Sequence, residues 1–502
     1  MIKYANMDRL RKKIYLPLLS FPFYKDLFLL LVVFIYSFSI FQSIFVKRAL
    51  FYDGSYFFIS VLQDAEVNTP LLPCNNPLSC LHWPYFDDIK HQRLFTNLLN
   101  QSLVSGATYL HVKNLEILLL LFAIPLFTIA PLSILLTHKF IHQESKYWLI
   151  ILPIASYVLF TQPSEIFILN PAITFTALSW FIALLYLGVD RLKISHYSLI
   201  LMFVFYSLRG HENNLLLSPI LAFIAFYRFV HNKEKPALFM SLLHALSAFF
   251  SYYWMQSHPI GEQTSGYFQT ILTILKHLPY YLGNTGLLFS LLALVVLVLF
   301  FVLDQLMLQK QRIVSICLFS LIFVIDLLQL VNIFTSVTNL PAAEYELRIF
   351  ITLGSLALMI VGSLLLVFRV KVSKTLYVNG LIVLGLTMSS QAIWQIQNNV
   401  QWYQFYRSTQ ETLSTHQPGK ILITDQIVHA DRYTVGWTWP AFSFILQGNK
   451  ISKIILPPLD NPYYRYIKVE RDHSIPVCIP FSCWPNNSHF NYDILRSSYD
   501  TQ

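Results

Sequence analysis

Between Leu27 and Trp394 the chain alternates long apolar stretches with short polar ones. About eleven stretches approach or reach the length needed to cross a bilayer as a helix. They cover 27–46, 115–137, 147–161, 171–189, 197–209, 215–230, 237–254, 286–304, 313–333, 349–368 and 375–394. The third and fifth are short for a crossing. Basic residues fall in every second loop. One set of loops holds Lys139 and Lys146, Arg191 and Lys193, Arg228 with Lys233 and Lys235, Lys310 and Arg312, and Arg369 with Lys371 and Lys374. The short loops between them hold mainly Arg209, Lys276 and Arg348. Lys- and Arg-rich loops stay in the cytoplasm. The alternation therefore predicts an α-helical polytopic membrane protein with about eleven transmembrane helices. Its N-terminus is expected inside, its C-terminus outside, and its location is the inner (cytoplasmic) membrane. The first stretch follows a basic segment and lacks a small-residue cleavage site, so it is expected to stay as an anchor.

This threading divides the chain into a cytoplasmic segment 1–26, a transmembrane domain 27–394 and an extracytoplasmic domain 395–502. A long external loop, 47–114, lies inside the second of these. The polar C-terminal region is expected to be a small α/β domain. A Gln- and aromatic-rich helix over 395–412 leads to the strand-like KILITDQI from Lys420. A segment with Trp437, Trp439 and Pro440 then precedes a short helix and a second strand over 451–456. A strand–crossover–strand unit of this length is expected to be parallel and right-handed.

The cysteines suit the same topology. Cys74 and Cys80 fall in the first external loop, and Cys478 and Cys483 in the C-terminal region. All four lie on the side where disulfides persist. Four cysteines allow three pairings, and the local pairs Cys74–Cys80 and Cys478–Cys483 are the favoured expectation. The spacing is not CxxC and no His pair accompanies either couple, which disfavours a metal site.

Composition sharpens the class. Of 502 residues 55% are hydrophobic and only 12% charged. The mean hydropathy is +0.53. A chain this apolar needs lipid as solvent. The formal charge of +9 resides in inter-helical loops, as membrane orientation requires, so nucleic acid is not an expected partner. With only 15 glycines, no phosphate-cradling Gly-rich loop and short inner loops, no soluble nucleotide site is expected. No cofactor is expected either, although a divalent cation could sit on Asp64 and Glu66 or on Asp87 and Asp88.

Chemistry is confined to polar residues that share the outer side. Asp53, in FYDGSYFF, stands among aromatic residues just past the first stretch. Desolvation there would raise its pKa and suit it to general-base work, or it caps the helix that follows. Arg93, with His91, begins an amphipathic segment and is either a phosphate contact or a solvated residue. SLRGHENN sets Arg209, His211, Glu212, Asn213 and Asn214 between two apolar stretches that leave almost no loop. Such polar density at a membrane boundary is costly unless the groups pair or line a wet cavity. The alternatives are a substrate-phosphate site built on Arg209 and a self-contained Arg–Glu pair. Arg348, four residues after Glu344, is either an anion contact or half of a helical ion pair. Glu165 lies in a further outer loop. Asp326, inside the ninth stretch, is an intramembrane acid with either a functional or a helix-bonding role.

The arrangement resembles the polytopic type C glycosyltransferase superfamily. The resemblance rests on an inside N-terminus, a long first external loop with an acid soon after the first span, many further spans and a C-terminal external region. FYDGSYFF places Asp53 where that family carries its loop-one catalytic acid. WYQFYR and GWTWPAFS, between Trp402 and Pro440, are similar to C-terminal parts of bacterial proteins of this class. The first loop has no DxD, and no WWDxG-type sequence occurs, unlike oligosaccharyltransferases. The resemblance implies a polyprenyl-phosphate-linked sugar as donor and an acceptor outside the cytoplasm. Asp53 would be the base, and Arg209, with Arg93 or Arg348, would stabilise the departing phosphate. The 41 Phe and 29 Tyr would line the lipid groove. A transporter of lipid-linked glycans using Asp326, Glu212 and Arg209 is an alternative, as is a non-catalytic envelope assembly protein.

Overall fold

The structure, a computed structural model, describes residues 22–51, 54–67, 93–141, 146–160, 166–257, 344–367, 374–418, 421–423, 438–456, 477–479, 482–484 and 488–498. The stretches predicted at 286–304 and 313–333, with Asp326, lie outside the described residues, as do Cys74 and Cys80.

The described chain is mostly helical. In order come α1 Pro22–Phe45, α2 Gly54–Val67, α3 Leu94–Tyr109, α4 Leu115–Ile141, α5 Ile151–Phe160, α6 Ile166–Gly188, α7 Ile194–Leu208, α8 Asn214–Asn232 and α9 Lys235–Ser257. Then follow α10 Glu344–Val367, α11 Lys374–Thr415, β1 Ile421–Ile423, α12 Trp439–Gln447, β2 Ile454–Leu456, β3 Val477–Ile479, β4 Ser482–Trp484 and α13 Asp493–Ser498. Among the described residues four helical segments are long and apolar enough to cross a membrane: Leu115–Ile141, Asn170–Gly188, Asn214–Asn232 and Lys235–Ser257. Leu30–Phe45, Tyr147–Val158, Ile194–Leu208 and Ile351–Val367 are shorter apolar helices.

Local chemistry sets several ends. The Asn114 side chain accepts from the backbone N–H of Glu116 at 2.9 Å and of Ile117 at 3.2 Å, which caps α4. Lys233, at φ 60°, terminates α8 in the left-handed conformation and turns the chain into α9. Arg228 holds that turn. It donates to Glu234 through Nε and Nη2, each at 2.8 Å, and to the carbonyls of Tyr186, Val189 and Asp190. Those carbonyls lie at the C-terminal end of α6 and in the turn after it, so one guanidinium ties two inter-helical turns together. A Cβ at Gly362 or Gly380 would collide with Leu152 or Ile151. These two glycines let α10 and α11 approach α5 closely, as small residues do in membrane bundles.

The last predicted span and the Gln-rich helix after it are one helix. Helix α11 has 42 residues, a length of about 63 Å at ~1.5 Å per residue, against a hydrocarbon core of about 30 Å. The expected boundary at 394/395 therefore falls inside a continuous helix. It packs along α1 and α5, with Gln395, Asn399 and Trp402 bonded to the end of α1 and the turn after it, and it also carries α12.

Two hydrophobic cores form among the described residues. One lies in the helix bundle, around Trp180, Phe175, Leu184 and Ile224. The other joins the end of α1, α2, the start of α4 and the second half of α11 to α12, β2 and α13, through Phe51, Phe58, Phe122, Trp402, Phe442 and Tyr492. Strand β1 pairs with β2 in parallel, Ile421 opposite Ile454, as expected for the crossover through α12. Strands β3 and β4 pair antiparallel, with Cys478 opposite Cys483.

Candidate functional site at the 209–214 turn

Helix α7 ends at Leu208 and α8 begins at Asn214, leaving a five-residue turn that carries Arg209, His211 and Glu212. The N-terminal end of α3, in the segment that joins α1 to α4, docks onto this turn. The Phe95 N–H donates to the Arg209 carbonyl at 3.1 Å. The Thr96 hydroxyl donates to the Gly210 carbonyl at 2.5 Å and receives the Tyr206 hydroxyl at 2.5 Å. Gly210 lets the turn sit against α6, because a Cβ there would stand 2.8 Å from the Phe175 ring.

Arg93 spans the junction. Its Nε donates to both Glu212 carboxylate oxygens at 2.9 Å, and its Nη2 lies 2.7 Å from Oε1. The two side chains are only 12% and 10% exposed. Arg93 is thus a part-buried ion-pair partner rather than a solvated residue on a helix face. His211 is buried on the Phe175 ring, with centroids 6.1 Å apart. Its Nδ1 accepts the Asn213 N–H at 3.1 Å and lies 3.3 Å from Glu212 Oε2. These contacts make opposite demands: the N–H needs the Nδ1 lone pair, whereas the carboxylate favours a proton there. The ring tautomer decides between them.

Arg209 lies over Trp254 of α9, its guanidinium carbon 4.3 Å from the ring centroid. Burial pulls this guanidinium down to about 10, which leaves it cationic at neutral pH. Glu212 thus pairs with Arg93, while Arg209 lies over Trp254. Asn214 anchors the turn from behind, donating to Ser251 Oγ at 2.8 Å and Ser247 Oγ at 3.0 Å. The Ser207 and Ser247 hydroxyls meet at 2.7 Å.

Four expected site residues, Arg93, Arg209, His211 and Glu212, thus come together. Asp53 immediately precedes α2 in sequence and lies outside the described residues. Arg348 falls in the first turns of α10, and its side chain lies outside the described ones. Asp64 and Glu66 fall in α2 with their side chains likewise outside, and Asp87, Asp88, His91 and Glu165 are not among the described residues. Among the described residues no group of three or more His, Cys, Asp or Glu could hold a metal ion. Trp254, Thr96, Tyr206 and the Ser247–Ser251 pair complete the site without having been anticipated. The two serines, four apart on one helix, carried a readable signal; the contact of Trp254 with Arg209 carried none. No protein-family model, curated protein or solved structure matches this chain.

Proposed function

We propose that this chain is a membrane glycosyltransferase, moving a sugar from a polyprenyl-phosphate donor to an acceptor outside the cytoplasm. Asp53 takes the proton of the acceptor hydroxyl as that oxygen bonds to the sugar. The sugar–phosphate bond breaks, and negative charge grows on the lipid phosphate. Arg209 stabilises this charge, with Arg348 as the second cation. Arg93, Glu212 and His211 hold the turn that presents Arg209. The protein has about eleven transmembrane helices, its C-terminal α/β domain lies outside, and its location is the inner membrane.

The observation that carries this reading is the docking of α3 onto the 209–213 turn. The external segment that contains Asp53 in sequence is tied by its far end to the turn that contains Arg209. Because Glu212 is bonded to Arg93, its carboxylate charge is matched by a partner other than Arg209.

Lipid and glycan mass spectrometry of cells with and without the gene tests the reading. A sugar-sized mass should vanish with the gene and return with wild type, but not with Asp53→Asn that accumulates normally in the membrane. Full rescue by Asp53→Asn rejects the base and favours a transporter or an assembly protein. A reporter active only outside the cytoplasm should work after Gln502 and fail after Lys235. Activity at both positions would reject the orientation.

A further inference from the structure

Helix α3 is amphipathic in the reverse sense to a helix in water. Its sequence, LFTNLLNQSLVSGATY, holds no charged residue. Thr96, Asn100, Gln101, Ser105 and Thr108 are buried against the protein. Leu103 and Tyr109 are each 43% exposed, and Leu110, just past the helix, is 74% exposed. Phe95 and Leu99, which precede Leu103 at four-residue spacing on the same face, are half-buried. A helix in water turns its polar side outward. A helix in lipid spends its polar side chains on its neighbours. Asn100 does so by donating to Asn170 of α6 at 2.7 Å, and Thr96 by donating to the Gly210 carbonyl.

The bundle sets the depth of this helix. The ends of α4 and α6 lie at one level, since a Cβ on Gly188 would stand 3.0 Å from Ile141. Exposed Lys139, Arg191 and Lys193 flank this end and put it at a membrane surface. At ~1.5 Å per residue, Asn170 stands about 27 Å above Gly188 and Leu126 about 22 Å above Ile141. Asn170 bonds both the Leu126 carbonyl and Asn100. Asn100 therefore sits about 22–27 Å up, inside a hydrocarbon layer about 30 Å thick. Helix α7, of 15 residues, lifts the 209–213 turn only about 22 Å, and Phe95 is bonded to that turn. The other end of α3 leads into α4, whose first residue, Leu115, stands about 39 Å above Ile141, past the hydrocarbon. Charges at the depth of the turn are costly unless paired, and Arg93 meets Glu212 there at 2.7 Å. We infer that α3 is a lipid-facing helix that starts within the bilayer hydrocarbon and rises along α4 into the headgroup layer. Phe95, Leu99 and Leu103 meet acyl chains, and Tyr109 and Leu110 meet headgroups. The segment expected as an external loop, 47–114, thus returns to the membrane before α4 begins. The inference needs α4, α6 and α7 to lie in a membrane, but not the transferase chemistry.

The test uses the purified full chain in lipid nanodiscs. A nitroxide is attached through p-acetylphenylalanine, one position at a time, at Phe95, Leu103 or Tyr109, which leaves the cysteines untouched. Two of these positions are aromatic already, so the substitution keeps their shape. Met202, 68% exposed on α7, is the lipid control, and exposed Lys113 is the water control. Collisions with oxygen report lipid, and collisions with a soluble nickel chelate report water. Nickel access should fall from Lys113 to Tyr109 to Leu103 and reach the Met202 level at Phe95, while oxygen access rises in the same order. Nickel access at Phe95 equal to that at Lys113 would put the helix in water. Loss of both collisions at Phe95 and Leu103 would mean that protein, from this chain or a second copy, covers the face. Tyr109 as closed to nickel as Met202 would remove the rise to the headgroups. Each of these three results overturns the inference. Nickel access at Met202 itself would overturn it differently, by rejecting the membrane placement of the bundle.

Discussion

Arg93 grips Glu212 with Nε 2.9 Å from both carboxylate oxygens, across 119 positions of sequence. This fork joins the N-terminal end of α3 to the turn between α7 and α8. A nearly buried pair costs most when one member is removed and the other keeps its charge. Glu212→Gln should therefore lower stability by about 3 kcal/mol, and Arg93→Gln by a similar amount. The double variant should lose much less than the sum. Thermal unfolding in detergent of all four proteins measures this coupling, and additive losses would remove the pair as the joint.

Gly210→Ala should destabilise the seating of the same turn against α6, by about 1–3 kcal/mol. The added methyl meets the Phe175 ring and the Tyr206 carbonyl, at 2.8 Å and 2.9 Å. Phe175→Leu in the same chain should recover part of the loss, because only the ring contact can yield. Melting temperatures of the single and double variants decide the matter.

If Arg209 meets the departing phosphate, Arg209→Gln should lower sugar transfer by about a hundredfold or more while the protein accumulates normally. Trp254→Leu should act more weakly, through loss of a cation–π contact worth about 0.5–2 kcal/mol. A transfer assay with lipid-linked sugar ranks the two. An Arg209→Gln protein with full activity would exclude the role.

The Arg228–Glu234 clamp makes a prediction in pH. Burial alone would push the Glu234 carboxyl up, but hydrogen bonds from Arg228 and Tyr197 outweigh it and hold the group below its ordinary 4.5. A depressed carboxyl contributes stability that is fully present above its unfolded value and is lost as pH falls through the lower folded value. The wild type should thus lose melting temperature on acidification below about pH 4.5 faster than Glu234→Gln does. Parallel curves would remove Glu234 from the clamp. The Glu234 side chain is still 20% exposed, so solvent screening keeps the effect small.

The β3–β4 register adds a redox prediction. Directly opposed residues on antiparallel strands have Cα atoms about 4.5–5.5 Å apart, within the span a disulfide needs. Cys478 and Cys483 are so opposed, so this bridge is expected among the three pairings. Peptide mass spectrometry without reductant should find the two thiols linked within one peptide. A link from either to Cys74 or Cys80 would reject it.

The sequence by itself determined that this is a helical protein fit for a membrane, where most of its described helices run, and that 209–214 would be a dense polar turn. These properties sum over neighbouring residues: apolar length, alternating basic loops, and polar residues squeezed between two hydrophobic stretches. It also indicated the parallel strand pair around α12. Tertiary structure decided what no local sum contains. It gave Glu212 to Arg93 instead of the nearer Arg209, because the end of α3 reaches the carboxylate whereas Arg209 folds back onto Trp254. It merged the last span with the helix after it, since nothing in 390–400 breaks a helix and α1 gives both halves a surface to pack on. It placed residues 49–51 and 56–62 and the C-terminal elements in one core, a consequence of where helix ends emerge rather than of composition. Opposite charges and aromatic rings are plentiful between the helices, and only distance in space selects which of them meet.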